Sequence, residues 1–405
     1  MTEKNLLYRK KIIKQLYFST MLSCAELSDK IHKSLPVTAK ILGKLIEDGW
    51  VVETGFAAST GGRRAVMYSL KPDIMYTVSV AMDQLITRIA IMDMQNRNVT
   101  ETEIFELPLP KNPQALPVLA EKIDAVIKRS GIAKNKIAGI GIGMPGFVDA
   151  AKGMNYTFLE TDQGTITHFI SSKVKLPVFI DNDSRLIALA ELKFGSARGR
   201  KNAMVINVGW GIGLGMILNG ELFRGHNGFA GEFSHIPLFL NNKLCSCGKS
   251  GCLETETSLL VVIEKANKGL REGKVSLLKE MPSEHAEQAF QDIMKAAGKG
   301  DKFAVELLSE AGYNIGRGVA ILIHILNPEL VVLSGRGSLA GKIWQAPIQQ
   351  ALNEHCIPQL SLNTDIGIST LGYQAELTGS AALVMENYEK SEWKKEVVAA
   401  KVDHR

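Results

Sequence analysis

The stretch Gly225-His226-Asn227-Gly228-Phe229-Ala230-Gly231-Glu232-Phe233-Ser234-His235 is followed, after nine residues, by Cys245-Ser246-Cys247-Gly248-Lys249-Ser250-Gly251-Cys252-Leu253-Glu254. Three of the five cysteines lie within eight residues of one another. Imidazole and thiolate are the ligands that tetrahedral zinc prefers, and four of them in an 18-residue span form a closed, structural site. His235, Cys245, Cys247 and Cys252 are therefore the expected ligands of one structural Zn2+. Gly248 and Gly251 supply the tight turns between them. Buried free cysteines or a redox pair are the alternatives.

Upstream, Val178–Ile180 reads as a strand and Ser184–Phe194 as a helix, which places Asn182 and Asp183 at a strand's carboxyl end, where α/β proteins bind ligands. With Glu232, His235 and Glu254 they form a polar set suited to a sugar, because a carboxylate accepts from two hydroxyls at once. Asp183 as a helix N-terminal charge and Glu232 as an ordinary surface residue remain the alternative. Gly209, Gly211, Gly213 and Gly215 follow the strand Met204–Val208; such a series can lie against phosphate or mark tightly packed strands, and it matches neither the dinucleotide nor the P-loop fingerprint. Ile137–Met144, Thr77–Ala81 and Ile86–Met94 also read as strands. No internal repeat is visible.

The first 72 residues have a different texture. Residues 8–22, the capping-box pair Ser23 and Glu26, and Ser34 with Pro36 predict three helices, the last ended by Gly49. A hairpin follows, Trp50–Val52 and Val66–Leu70, so the layout is that of a winged helix-turn-helix. Thr38, Lys40 and Lys44 are expected to be exposed on the third helix and to reach DNA, with Gly61, Gly62, Arg63 and Arg64 in the wing. Residues 1–72 hold 12 Lys and Arg against 6 Asp and Glu, while the rest holds 35 against 36. The basic excess at one end favours a nucleic-acid partner over an incidental basic face. No apolar run is clean enough to span a bilayer, and the chain reads as cytoplasmic.

Together these motifs resemble the ROK family of repressors, open reading frames and kinases. Ile140-Gly141-Ile142-Gly143-Met144-Pro145-Gly146-Phe147-Val148-Asp149, Asp181-Asn182-Asp183 and Asn327-Pro328-Glu329-Leu330-Val331-Val332-Leu333-Ser334-Gly335 are similar to further family motifs, the last to its adenosine-side strand. The resemblance implies an α/β actin-like, sugar-kinase-like two-lobed body behind the winged helix. It implies sugar contacts from Asn182, Asp183, Glu232, His235 and Glu254, with Asp183 at the kinase base position, and zinc on His235 and the three cysteines. The expected division is 1–72 for DNA binding, 73–183 for a first lobe joined by about 380–392, 184–379 for a second lobe with the zinc loop and an oligomerisation surface, and a charged tail over 393–405.

Two positions depart from the family pattern. Where its kinases carry Asp-x-Gly-Gly/x-Thr, this chain has Ala81-Met82-Asp83-Gln84-Leu85, with no glycine to let phosphate approach. Ser234 replaces the usual Gly before His235. The expectation is a sugar-responsive regulator of double-stranded DNA, a homodimer or dimer of dimers without kinase activity. An active sugar kinase and a regulator with a protein effector are the alternatives.

Overall fold

The computed structural model describes residues 3–58, 64–159, 164–281 and 285–390. They fall into two compact units: residues up to Leu186 with those from Leu377 onward, and Ile187–Glu376.

The first unit opens with α1 (Glu3–Ser19), β1 (Leu22–Ser23), α2 (Cys24–Ile31), α3 (Leu35–Glu47), β2 (Val51–Phe56) and β3 (Val66–Leu70), the strands ordered β1-β3-β2. This is the winged helix-turn-helix the sequence predicts. Ile12, Ile13, Leu16 and Tyr17 of α1 are buried, as are Leu27, Ile31, Leu42 and Leu45 of the other two helices. The capping box forms as read: the Ser23 N–H donates to Glu26 Oε2 at 2.7 Å, and the Glu26 N–H donates to Ser23 Oγ at 3.3 Å. Helix α1 runs from Glu3 and stops at Ser19, ahead of Thr20 at φ 67°, rather than covering 8–22.

The same unit continues with β4 (Tyr76–Met82), β5 (Ile86–Met92), β6 (Glu103–Glu106), α4 (Ala115–Ser130), β7 (Ile137–Met144), β8 (Val148–Asp149), β9 (Met154–Asn155), α5 (Ile166–Val174), β10 (Val178–Asn182) and the start of α6 (Asp183–Phe194), whose residues from Ile187 onward belong to the second unit. Its sheet is ordered β10-β7-β4-β5-β6, with β4, β5 and β6 antiparallel and β4, β7 and β10 parallel.

The second unit holds β11 (Ala203–Val208), β12 (Ile212–Leu218), β13 (Glu221–Phe223), α7 (Glu254–Thr257), α8 (Leu259–Arg271), α9 (Ala286–Gly298), α10 (Lys302–Leu326), β14 (Leu330–Ser334), α11 (Lys342–His355), α12 (Pro358–Ser361) and β15 (Asp365–Ile368). Its sheet is ordered β13-β12-β11-β14-β15, again a three-strand antiparallel meander followed by two parallel strands. One topology thus occurs twice in a chain whose sequence shows no repeat. The glycines of α10 let its neighbours close in: a Cβ on Gly316 would meet Ala351 and Ile348 of α11, and one on Gly318 would meet Phe233 and Leu253 beside the zinc segment.

Helix α13 (Ala375–Glu386) returns to the first unit. Its Ser380 hydroxyl donates to Val80 O of β4 at 2.9 Å, and Gly379 lies so close to the Leu186 carbonyl of α6 that a Cβ there would sit 2.0 Å from it. At its last residue Lys14 of α1 donates to Glu386 O at 3.0 Å, and just beyond it Lys14 pairs with Glu389 at 3.2 Å while Lys10 lies over the Tyr388 ring. The winged helix is therefore tied through α1 to the helix that backs the first sheet.

Candidate functional site

The His/Cys segment comes together as its spacing predicts. The ligand atoms of His235, Cys245, Cys247 and Cys252 lie within 4.8 Å of one another. The Cys247 and Cys252 sulfurs are 3.7 Å apart, and Cys245 Sγ is 3.6 Å from His235 Nδ1. A tetrahedron with Zn–S bonds of about 2.3 Å has edges of about 3.8 Å, so the group is already spaced for that ion. Burial, then the neighbouring Cys247 and Cys245, push the Cys252 thiol up to about 12. A cation bound among these sulfurs would favour their thiolate forms. Gly251, at φ 73°, is obligatory: a Cβ would lie 1.9 Å from Phe239 O.

The two nitrogens of His235 face different groups. Nδ1 faces Cys245, while Nε2 lies 3.8 Å from Glu232 Oε2. A metal on Nδ1 fixes the tautomer that leaves Nε2–H as a donor. Glu254, at the start of α7, accepts from the Ile212 N–H at 3.2 Å. Burial raises its pKa, opposed by that N–H and by His235. Glu232, His235 and Glu254 thus lie together in the second unit.

Asn182 and Asp183 occupy the β10–α6 corner of the first unit. Asn182 donates from Nδ2 to Gly146 O at 3.2 Å, and its Oδ1 accepts from the N–H groups of Ser184 and Arg185. The corner is held by a buried ion pair, Arg185 Nε to Asp181 Oδ1 at 2.7 Å, while Arg185 also donates to Val148 O at 2.8 Å. Asp183 accepts from the Ser184 N–H at 2.7 Å and hydroxyl at 3.1 Å. Burial lifts Asp183 to about 6; the Ser184 donors oppose this, Asp83 adds to it and Arg185 opposes it.

Reading the sequence alone misses Asp83. In the β4–β5 turn its Oδ1 accepts from the Leu85 N–H at 2.8 Å and the Ile86 N–H at 2.7 Å. The carboxylate therefore already accepts from two amides of its own turn. Asp at the head of a tight turn is the signal that could have found it.

On the DNA side, Lys40, Lys44 and Arg64 are exposed. Gly61, Gly62 and Arg63 lie outside the described residues. Thr38 corrects the sequence reading: it is fully buried, its hydroxyl donating to Ser34 O at 3.1 Å. Its spacing of three, four and seven to Ile41, Leu42 and Leu45 puts it on the core face of α3, so it cannot contact DNA. The exposed residues of the first turns of α3 are instead Leu35, Pro36, Val37 and Ala39.

A sequence profile described as "ROK family" matches residues 78–387. A glucokinase of Halalkalibacterium halodurans is 34% identical over 288 residues, covering 70% of this chain and 87% of the relative. A xylose repressor of Caldicellulosiruptor bescii is 28% identical over 384 residues, covering 93% and 94%. The crystal structure of a ROK family transcriptional regulator, a homolog of the E. coli MLC protein, superposes with a TM-score of 0.75 at 24% identity, covering 94% of this chain and 97% of that one. The chain belongs to the ROK family. The glucokinase match is the shorter, whereas the xylose repressor and the regulator structure extend over nearly all of the chain.

Proposed function

We propose that this chain is a sugar-responsive transcription regulator, a repressor released by a sugar or sugar derivative. The observation that carries the reading is the anchoring of the winged helix-turn-helix, through Lys14, to α13, which in turn packs on the helix headed by Asp183. A domain held so can respond to what that helix binds. Residues 1–72 take the DNA, with Lys40, Lys44, Gly61, Gly62, Arg63 and Arg64 facing it.

The sugar is held by Asn182, Asp183, Glu232, His235 and Glu254. One structural Zn2+ on His235, Cys245, Cys247 and Cys252 keeps the last two in place. The protein acts in the cytoplasm as a homodimer or dimer of dimers, because helix-turn-helix modules read two half-sites.

Kinase activity is absent on this reading. Phosphoryl transfer depends on positioned donors and neutralised charge, and the Asp83 carboxylate offers the reverse. The test is operator titration in the presence and absence of each member of a sugar panel. One sugar should weaken operator binding by about 5–150-fold, the usual range of coupling. If no sugar does so while a protein partner does, the sugar reading is wrong.

A further inference from the structure

Helix α3 buries Thr38, Ile41, Leu42 and Leu45 and turns Pro36, Lys40 and Gly43 the other way, at spacings of four and three. Its first residues are apolar and open to solvent: Leu35 is 51% and Val37 43% exposed, and Pro36 and Ala39 are exposed beside them. Between Leu35 and Lys44 the helix exposes no carboxylate, amide, guanidinium or hydroxyl, since its one hydroxyl there, that of Thr38, is buried and donates to Ser34 O. Lys40 and Lys44 are the exposed polar side chains that remain. Gly43 sits mid-helix, where glycine is less favourable than alanine. Nothing in the fold calls for it: a Cβ there would meet no neighbour within 4 Å.

From this face we infer that α3 selects its DNA half-site through the C5-methyl groups of thymine, with Leu35, Pro36, Val37 and Ala39 setting specificity and Gly43 leaving the room that lets the helix close on the bases. The inference rests on the regulator reading and adds to it the chemistry of the bases that are read. In a major groove guanine shows two acceptors, cytosine an amino donor, adenine one of each, and thymine a methyl group beside one acceptor. Reading adenine in two bonds takes Asn or Gln, and reading cytosine takes an acceptor. These turns of α3 expose neither. An apolar side chain answers to the methyl. Charge makes DNA the occupant of this patch: Lys40 and Lys44 lie beside it on α3, and Lys30 and Arg64 are exposed in the same domain. Residues 1–72 hold 12 Lys and Arg against 6 Asp and Glu. Lysine donors meet phosphate or guanine, which fixes register and leaves the apolar contacts to pick out A·T pairs.

Selection from a random duplex pool by the full chain supplies the probe, and the test replaces thymine by uracil in the selected duplex, one position at a time. Uracil keeps the base pair and lacks only the methyl. Each thymine that α3 touches should lose about fourfold in affinity on this change, the contribution of one buried apolar carbon. In Leu35→Ser with Val37→Ser, thymine and uracil duplexes should bind alike; both positions are exposed, so the variant should fold. Gly43→Met should melt at a higher temperature than wild type yet bind the duplex more weakly, opposite signs that a glycine required by the fold would not give. Equal binding by wild type with uracil at every thymine overturns the inference and leaves the regulator reading standing. So does a double serine variant that loses self-association but keeps its discrimination, which would make the patch an interface between copies. Recovery of no duplex from the pool would overturn the regulator reading and the inference with it.

Discussion

The substitution Asp183→Asn should stabilise the protein, and the gain should grow with pH. The carboxyl is lifted from its ordinary 3.8 to about 6 by burial at the β10–α6 corner. A group raised in the folded state contributes stability that is fully present below its unfolded pKa and lost as pH rises through the folded one. At pH 8, where the aspartate is ionised in both states, wild type carries a penalty of roughly 3 kcal/mol relative to an acid pH at which both states are protonated. At pH 5 the penalty is roughly 1.5 kcal/mol. An asparagine side chain at this position would titrate in neither state, and its amide oxygen would still accept from the Ser184 N–H that Asp183 now engages. The variant's advantage in urea unfolding should therefore widen by about 1.5 kcal/mol between pH 5 and pH 8. The same variant should bind operator normally and ignore the inducing sugar, because it loses a carboxylate that accepts two hydroxyls. Stability gained as ligand response is lost marks a binding residue held at a cost to the fold. An advantage that is flat or shrinking from pH 5 to pH 8 would refute the desolvation argument. A normal sugar response would remove Asp183 from the effector site.

Cys247→Ser should abolish metal retention and with it sugar binding, since His235 Nε2 and Glu254 lose their frame; metal analysis should find one zinc per wild-type chain, and a zinc-free variant that still binds sugar would contradict this. Arg63→Ala with Arg64→Ala should weaken operator affinity by about 1–3 kcal/mol per lost contact and flatten its salt dependence, read by titration at several salt concentrations. Gly379→Ala forces a Cβ against the Leu186 carbonyl; operator and sugar should each still bind, but the effect of sugar on operator affinity should fall severalfold, and an unchanged coupling would show that α13 does not transmit it. Turnover of ATP with a panel of hexoses should stay well below about 1 s⁻¹, the lower end of kinase rates.

Much of the site is legible in the sequence because its chemistry is local. Four soft ligands in one short span, the Asn182-Asp183 pair at a strand's end and a capping box are patterns set by neighbours a few residues apart, and the structure brings the His/Cys set together as read. The nucleotide-facing departures are legible only as absences. The sequence shows that the β4–β5 turn lacks glycine, but not that the Asp83 carboxylate accepts from its Leu85 and Ile86 amides. Residue type alone puts Thr38 on the wrong face of α3; its distance along the chain from Ile41, Leu42 and Leu45 puts it on the right one.

The sequence by itself determined the winged helix, the strands at Thr77–Ala81, Ile86–Met94, Ile137–Met144 and Val178–Ile180, and the grouping of His235 with the three cysteines, since each follows from hydrophobic period, capping or donor softness; it did not show β8, β9 or α5. Tertiary structure alone decided which strands pair. Two sheets of identical order arise from segments with no visible repeat, because an alternating apolar pattern can be met by many residue choices and partner selection depends on packing over long separations. It alone also set Arg336 against both Trp210 and Tyr373. These residues are 126 and 37 positions from the arginine, and only the alignment of β11, β14 and β15 at their carboxyl ends draws three distant loops around one guanidinium.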